Sequence, residues 1–118
     1  MGVALVTPFK KNKEVDFEAL QQLIDYQLLS GTDYIVALGT TAETPTLEEK
    51  EREEIVRRVV KQVDGKIPII MGVGGNNTAK LVHTLNTFDF TGISAILSVT
   101  PYYNKPTQEG LFQHYRAL

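Results

Sequence analysis

The sequence predicts an α/β fold in which parallel strands alternate with helices. Two observations carry that prediction. Four short runs, Val3–Val6, Tyr34–Leu38, Ile67–Met71 and Ile93–Leu97, are almost continuously apolar, as strands covered on both faces are. Between and after them lie longer segments whose apolar residues recur at helical spacing.

The first helix is expected to start at Asp16, a good N-cap residue, with Val15 stapled onto Leu20. Phe17, Leu20, Leu23, Ile24 and Leu28 form its apolar stripe, and Ser30-Gly31 supplies the stop. The second is expected to open on Thr46-Leu47-Glu48-Glu49, read as a capping box, and to bury Ile55, Val56, Val59, Val60 and Val63. Glu48 with Arg52, Glu53 with Arg57 and Glu54 with Arg58 stand four apart in the favourable order, so this charged face reads as solvated helix surface. The third helix runs from Asn77 or Thr78 through Leu81, Val82, Leu85 and Phe88, and a fourth begins after Thr107. Pro68 lies near the start of its strand, where a missing N–H is best tolerated.

Strands starting at residues 3, 34, 67 and 93, each followed by a helix, demand right-handed crossovers. Two architectures satisfy that order: a doubly wound open sheet and a (β/α)8 barrel. Periodicity does not choose between them.

Composition excludes several function classes. Twelve basic residues against 14 acidic ones leave a net charge of −2, so no nucleic-acid partner is expected. The cluster Lys10-Lys11-Asn12-Lys13 reads as a solvated turn. No apolar run approaches a membrane span, and no leader pattern is visible, so the expectation is a cytoplasmic protein without a membrane partner. The absence of cysteine excludes disulfides and thiol chemistry.

In either architecture ligands bind where the strands end. The residues that follow the four runs are Thr7-Pro8, Gly39-Thr40-Thr41-Ala42-Glu43, Gly72-Val73-Gly74-Gly75-Asn76-Asn77 and Val99-Thr100-Pro101-Tyr102-Tyr103-Asn104. This rim is rich in hydroxyls and backbone amides and poor in acid–base groups. His83 and His114 fall inside helical patterns without acidic partners at ligand spacing, so no metal is expected. Gly72-Val73-Gly74-Gly75 lacks the third glycine of a dinucleotide fingerprint, where Asn77 stands, and reads as a tight turn that lets backbone and helix pack closely. No cofactor is expected. Gly39-Thr40-Thr41 offers amides and hydroxyls to a small carboxylate. A tyrosine hydroxyl titrates near ~10, so Tyr102 or Tyr103 would pass a proton only in a relay, for which a threonine hydroxyl is a suitable partner.

Gly39-Thr40-Thr41-Ala42-Glu43 and the run Val99 to Leu111 resemble the two signatures of the dihydrodipicolinate synthase family, and Val6-Thr7-Pro8-Phe9 and Gly72-Val73-Gly74 are similar to it as well. The resemblance spans the whole chain. It implies a TIM (β/α)8 barrel, of which residues 1–118 would form the N-terminal half: one incomplete domain of roughly four βα units.

It also implies a class I aldolase-type condensation of pyruvate, held as a lysine Schiff base, with L-aspartate 4-semialdehyde, on the way to diaminopimelate and lysine. Carried over by position, Thr40 and Tyr103 would form the proton relay, Tyr103 by reaching into a partner subunit. Thr41 would hold the pyruvate carboxylate and Ala4 would line the pocket. The family's assembly implies a homo-oligomer, a dimer of dimers. A related pyruvate-dependent lyase, such as N-acetylneuraminate lyase, is the alternative enzyme; a non-catalytic barrel fragment is the other alternative.

Three departures from the family pattern matter. Ala42 stands where glycine is common, a small change if its φ is negative. The family's lysine-feedback positions correspond to Thr44, Pro45, Glu49, Arg52, Asn76, Lys80 and Tyr102. A cation at Lys80 would repel a lysine ammonium, so feedback inhibition is expected to be weak or absent. Finally, none of the lysines ends an apolar run. The Schiff-base lysine is expected beyond Leu118, and residues 1–118 alone are expected to be inactive and prone to self-association through open strand edges.

Overall fold

The computed structural model describes residues 1–118. Strands β1 (Gly2–Ala4), β2 (Tyr34–Ala37), β3 (Ile69–Gly72) and β4 (Ala95–Leu97) alternate with helices α1 (Phe17–Leu29), α2 (Glu49–Val63), α3 (Thr78–Thr87) and α4 (Gln108–Ala117). The strands pair in chain order, all parallel. The predicted element order is therefore correct.

Several details differ from expectation, among them β1, which spans Gly2–Ala4 where the apolar run was Val3–Val6. β3 and β4 each begin two residues later than their apolar runs. Pro68 cannot donate to a ladder, although its carbonyl accepts from the Ile35 N–H at 3.1 Å, and the Ile93 N–H is held by Phe90 O in a turn at 2.9 Å. Leu38 does not continue β2: its φ of 54° is left-handed, and the chain turns there into the next loop.

The capping box of α2 lies two residues beyond Thr46. Thr44–Thr46 form a 3₁₀ turn of their own, with the Thr46 hydroxyl donating to Glu43 O, and α2 starts only at Glu49, so Thr46 lies outside the capping position. Glu48 is the N-cap, its N–H donating to the Glu51 carboxylate at 2.8 Å.

The other helix ends match their signals. Asp16 caps α1 by accepting from Ala19 N–H at 3.0 Å, and Val15 and Leu20 both lie in the core. Asn77 and Thr107 cap α3 and α4 by accepting from Lys80 and Gly110. Gly31, at φ 74°, ends α1 in the conformation that glycine adopts most readily. Lys10–Lys13 form a turn closed by an antiparallel bridge between Phe9 and Val15.

Of the three expected ion pairs on α2, one forms. Glu54 binds Arg58, but it also takes Arg57 through two bonds of 2.6 and 2.7 Å, leaving Glu53 without that partner. Arg52 turns away from Glu48 and donates to Leu47 O. The two guanidiniums hold the Glu54 carboxyl down, from the ordinary 4.5 to about 2.

Register sorts the strand residues by face. Leu5, Ile35, Ala37, Ile69 and Met71 are buried in one cluster with Leu20 and Ile24 of α1 and Ile55, Val59 and Val63 of α2. The alternate positions form a row across the sheet, Ala4 to Val36 to Ile70 to Ala95, on the other face. Ala4 and Ala95, at the two edges of that row, are exposed. The helices thus cover one face, and the sheet presents its second face and its strand ends to whatever completes the site.

Candidate active site

Because all four strands run the same way, the loops after them gather at one end of the sheet. The loop after β2 begins with the left-handed Leu38 and enters a 3₁₀ turn over Thr40–Ala42, which places Thr40 and Thr41 on the surface. Ala42 does not adopt a positive φ and is buried. The methyl that replaces the family's common glycine is therefore tolerated without backbone strain.

Two open clefts meet at this rim. The larger, about 350 Å³, is lined by Thr40, Thr44, Pro45 and Arg52 on one side and by Gly74, Val99 and Tyr102 on the other. Thr40 and the Tyr102 segment thus face one cavity, as expected for residues carried on β2 and β4. The smaller, about 190 Å³, adjoins it through Thr44 and Arg52 and is lined also by Glu49, Asn76 and Lys80. Thr44, Pro45, Glu49, Arg52, Asn76, Lys80 and Tyr102, the seven positions that the resemblance likens to a feedback site, all line these two clefts. Ala4, Thr41 and Tyr103 do not line them. Ala4 lies on the uncovered sheet face, and Tyr103 is 92% exposed. No hydrogen bond joins Thr40 to Tyr103 within the chain.

Two interactions that sequence reading did not single out fix the rim. The buried Thr7 hydroxyl donates to Ala42 O at 2.8 Å, tying the loop after β1 to the threonine turn. The Asn76 side chain donates to Tyr102 O at 2.9 Å and accepts from Tyr102 N–H at 2.8 Å, tying the loop after β3 to the tyrosine loop. The signal for Thr7 was its position directly after an apolar run; nothing in the sequence marked its partner.

The glycine turn after β3 packs closely, but against neighbouring strand ends and not the helix. A methyl on Gly72 would lie 2.1 Å from Leu38 O, and one on Gly74 would lie 2.5 Å from a Val99 methyl, whereas at Gly75 the nearest atom is in Leu81 of α3 at an ordinary 3.8 Å. These glycines let three loops converge.

Both histidines stay out of the rim. His83 is exposed on α3, and His114 is buried, its Nδ1 2.8 Å from the Thr78 hydroxyl, joining α4 to α3. Every lysine lies outside the four strands and is exposed. No helix is long and apolar enough to cross a membrane.

Residues 1–118 match the model of the dihydrodipicolinate synthetase family. The chain is 62% identical over its whole length to a 4-hydroxy-tetrahydrodipicolinate synthase of Parabacteroides distasonis, of which it covers 40%. It superposes on the dihydrodipicolinate synthase of Thermotoga maritima with a TM-score of 0.90 at 52% identity, over 97% of this chain and 38% of that one. On the chloride-inhibited dihydrodipicolinate synthase of Acinetobacter baumannii in complex with pyruvate, the TM-score is 0.92 at 43% identity, over 98% of this chain and 40% of that one. The chain spans about two fifths of the length of the relatives it matches. Its four βα units are those of a TIM barrel, which settles the choice left open by the strand order against the open sheet. With sequence, fold and rim in agreement over all 118 residues, the chain belongs to the dihydrodipicolinate synthetase family.

Proposed function

We propose that this chain supplies the hydroxyl half of the active site of a 4-hydroxy-tetrahydrodipicolinate synthase, acting in the cytoplasm on pyruvate and L-aspartate 4-semialdehyde. The observation that carries the reading is the shared cleft: Thr40 on the turn after β2 and Tyr102 on the loop after β4 open onto one cavity at the strands' C-terminal ends. A class I aldolase joins a lysine amine to the pyruvate carbonyl, expels water from the carbinolamine, and removes a C3 proton to give an enamine that attacks the aldehyde. Each of these steps moves a proton, and a chain of preorganised hydroxyls suits that work.

Thr40 and Tyr103 are assigned to the relay. Thr41, exposed beside the Thr40 turn, is assigned to the pyruvate carboxylate, and Ala4 to the wall of the pocket. The outward projection of Tyr103 supports its reaching into a second copy in a dimer of dimers. The Schiff-base lysine is assigned to a strand beyond Leu118, because no lysine of this chain stands on a strand.

The test is borohydride trapping with pyruvate. Residues 1–118 alone are expected to remain unmodified, while the protein extended through the remaining strands gains one pyruvyl adduct on a later lysine. A stable adduct on residues 1–118 would overturn the assignment. Turnover of N-acetylneuraminate in place of aspartate semialdehyde would overturn the substrate.

A further inference from the structure

We infer that Asn76 is a positioning residue for Tyr103, holding the relay tyrosine in its outward pose through the backbone of the residue before it. The inference rests on the assignment of Tyr103 to the proton relay.

Tyr103 sits in the left-handed region at φ 66°, a conformation that a bulky side chain keeps only where its surroundings over-determine it. Its own side chain, almost wholly exposed, contributes little to that hold. The hold comes from both flanks. Downstream, the Lys105 N–H returns to Tyr103 O at 3.0 Å and closes a three-residue turn. Upstream, Asn76 holds both backbone polar groups of Tyr102, and so both peptide units that flank it, its amide nitrogen on the carbonyl and its amide oxygen on the N–H.

The side-chain amide acts here as one more rung of a strand ladder. Donation and acceptance are both needed, and a carboxylate offers only the second. The glycine turn brings Asn76 within reach: any side chain at Gly74 would strike Val99 and push the two loops apart. Without the clamp, the peptide before Tyr103 is free to rotate and the following residue to relax to negative φ. That relaxation would swing the phenol away from the direction in which it now points.

The experiment is a double-mutant cycle in the active, full-length enzyme, with Asn76→Ala, Asn76→Asp and Tyr103→Phe. Displacement of a catalytic group by about 1 Å costs on the order of 100-fold. Asn76→Ala is therefore expected to lower kcat by roughly 10- to 100-fold, with KM for pyruvate within about twofold. Asn76→Asp, which keeps the acceptor and loses the donor, should fall between Asn76→Ala and wild type. In the Tyr103→Phe background the Asn76→Ala loss should disappear, since the phenol it positions is gone.

Amide hydrogen exchange over residues 100–105 gives a readout independent of turnover: the Tyr102 amide should lose protection in Asn76→Ala. Unchanged exchange, or multiplicative kcat losses in the double variant, would overturn the clamp. A large loss in Tyr103→Phe with none in Asn76→Ala sinks the clamp alone. Full activity in Tyr103→Phe sinks the relay assignment and the clamp with it.

Discussion

The convergence of loops at the rim depends on Gly72, and Gly72→Ala is the sharpest way to test it. The added methyl would lie 2.1 Å from Leu38 O, 2.6 Å from Leu38 C and 2.8 Å from the Gly39 Cα, all backbone atoms that no rotamer change can move. Real Cβ contacts essentially never fall below 3.0 Å, so the ends of β2 and β3 must part by at least 0.9 Å, the difference between 3.0 and 2.1. That opening strains the pairing of Ala37 with Met71 on one side and of Gly72 with Leu97 on the other.

Overpacking usually costs about 1–3 kcal/mol, and a clash confined to backbone belongs at the upper end of that range. With a urea m-value of about 2 kcal/mol per molar, a loss of ~3 kcal/mol moves the unfolding midpoint down by ~1.5 M. Gly75→Ala is the matched control, since its methyl meets only a Leu81 methyl at 3.8 Å. The assay is equilibrium urea unfolding of both variants beside the parent protein. If Gly72→Ala and Gly75→Ala shift the midpoint equally, the close approach of β2 and β3 is wrong, and with it the geometry of the cleft.

Other consequences can be checked in the same protein. Thr7→Val removes the 2.8 Å bond to Ala42 O and leaves a buried carbonyl unpaired; a stability loss of about 1–3 kcal/mol is expected, and a neutral result in thermal melting would remove Thr7 as the tie between the first two loops. Glu54→Gln should lower stability at neutral pH by less than about 1 kcal/mol, as exposed ion pairs do. Because the folded carboxyl is held at about 2, below its ordinary 4.5, the Glu54 contribution is complete above about 4.5 and is lost as pH falls toward about 2; a gap between variant and parent that persists unchanged at the acid end would contradict that. Lys80 lines the smaller cleft together with Arg52, Glu49 and Glu53; with a cation at position 80 facing a ligand ammonium, L-lysine should inhibit the full-length enzyme weakly or not at all. Like charges 4 Å apart cost about 1 kcal/mol in water and about 4 kcal/mol at an effective dielectric of 20, so Lys80→Glu should raise lysine sensitivity tenfold or more in an initial-rate assay. Strong lysine inhibition of the parent enzyme would refute the charge argument.

What the sequence made legible was what short-range rules control. Asp16, Asn77 and Thr107 cap their helices because capping needs only a short acceptor and the next turn of chain. The apolar runs marked the strands because parallel strands covered on both faces leave no polar alternation. The misses occurred where neighbouring groups compete or where residues far apart in the chain pair. Thr46 has the right spacing for a cap, but it is taken up in a 3₁₀ turn and the helix starts only after Glu48. Glu53 has an arginine four residues on, but Arg57 is drawn to Glu54. The Asn76–Tyr102 and Thr7–Ala42 ties join residues 26 and 35 apart in sequence, and no local pattern encodes such a pairing. The glycine turn was read as a close approach, yet against the wrong neighbour, because only register shows that Gly72 meets the end of β2.

The division of labour proposed for this chain makes a kinetic distinction that mutation of Thr40 can expose. If the nucleophilic lysine belongs to a later strand and Thr40 only conducts protons, Thr40→Val leaves the amine and the pyruvate carbonyl as they were. It removes the hydroxyl through which water leaves the carbinolamine. The adduct trapped by borohydride should then form more slowly, by about 10² to 10⁴, the usual worth of a positioned acid–base group, yet reach the same extent at completion. A carboxylate-binding role would behave differently, because losing it weakens pyruvate binding and can be overcome by raising pyruvate. Trapping rates across a pyruvate titration separate the two. A Thr40→Val rate that recovers at high pyruvate would move Thr40 from the relay to the binding site, and an unchanged rate would remove it from both.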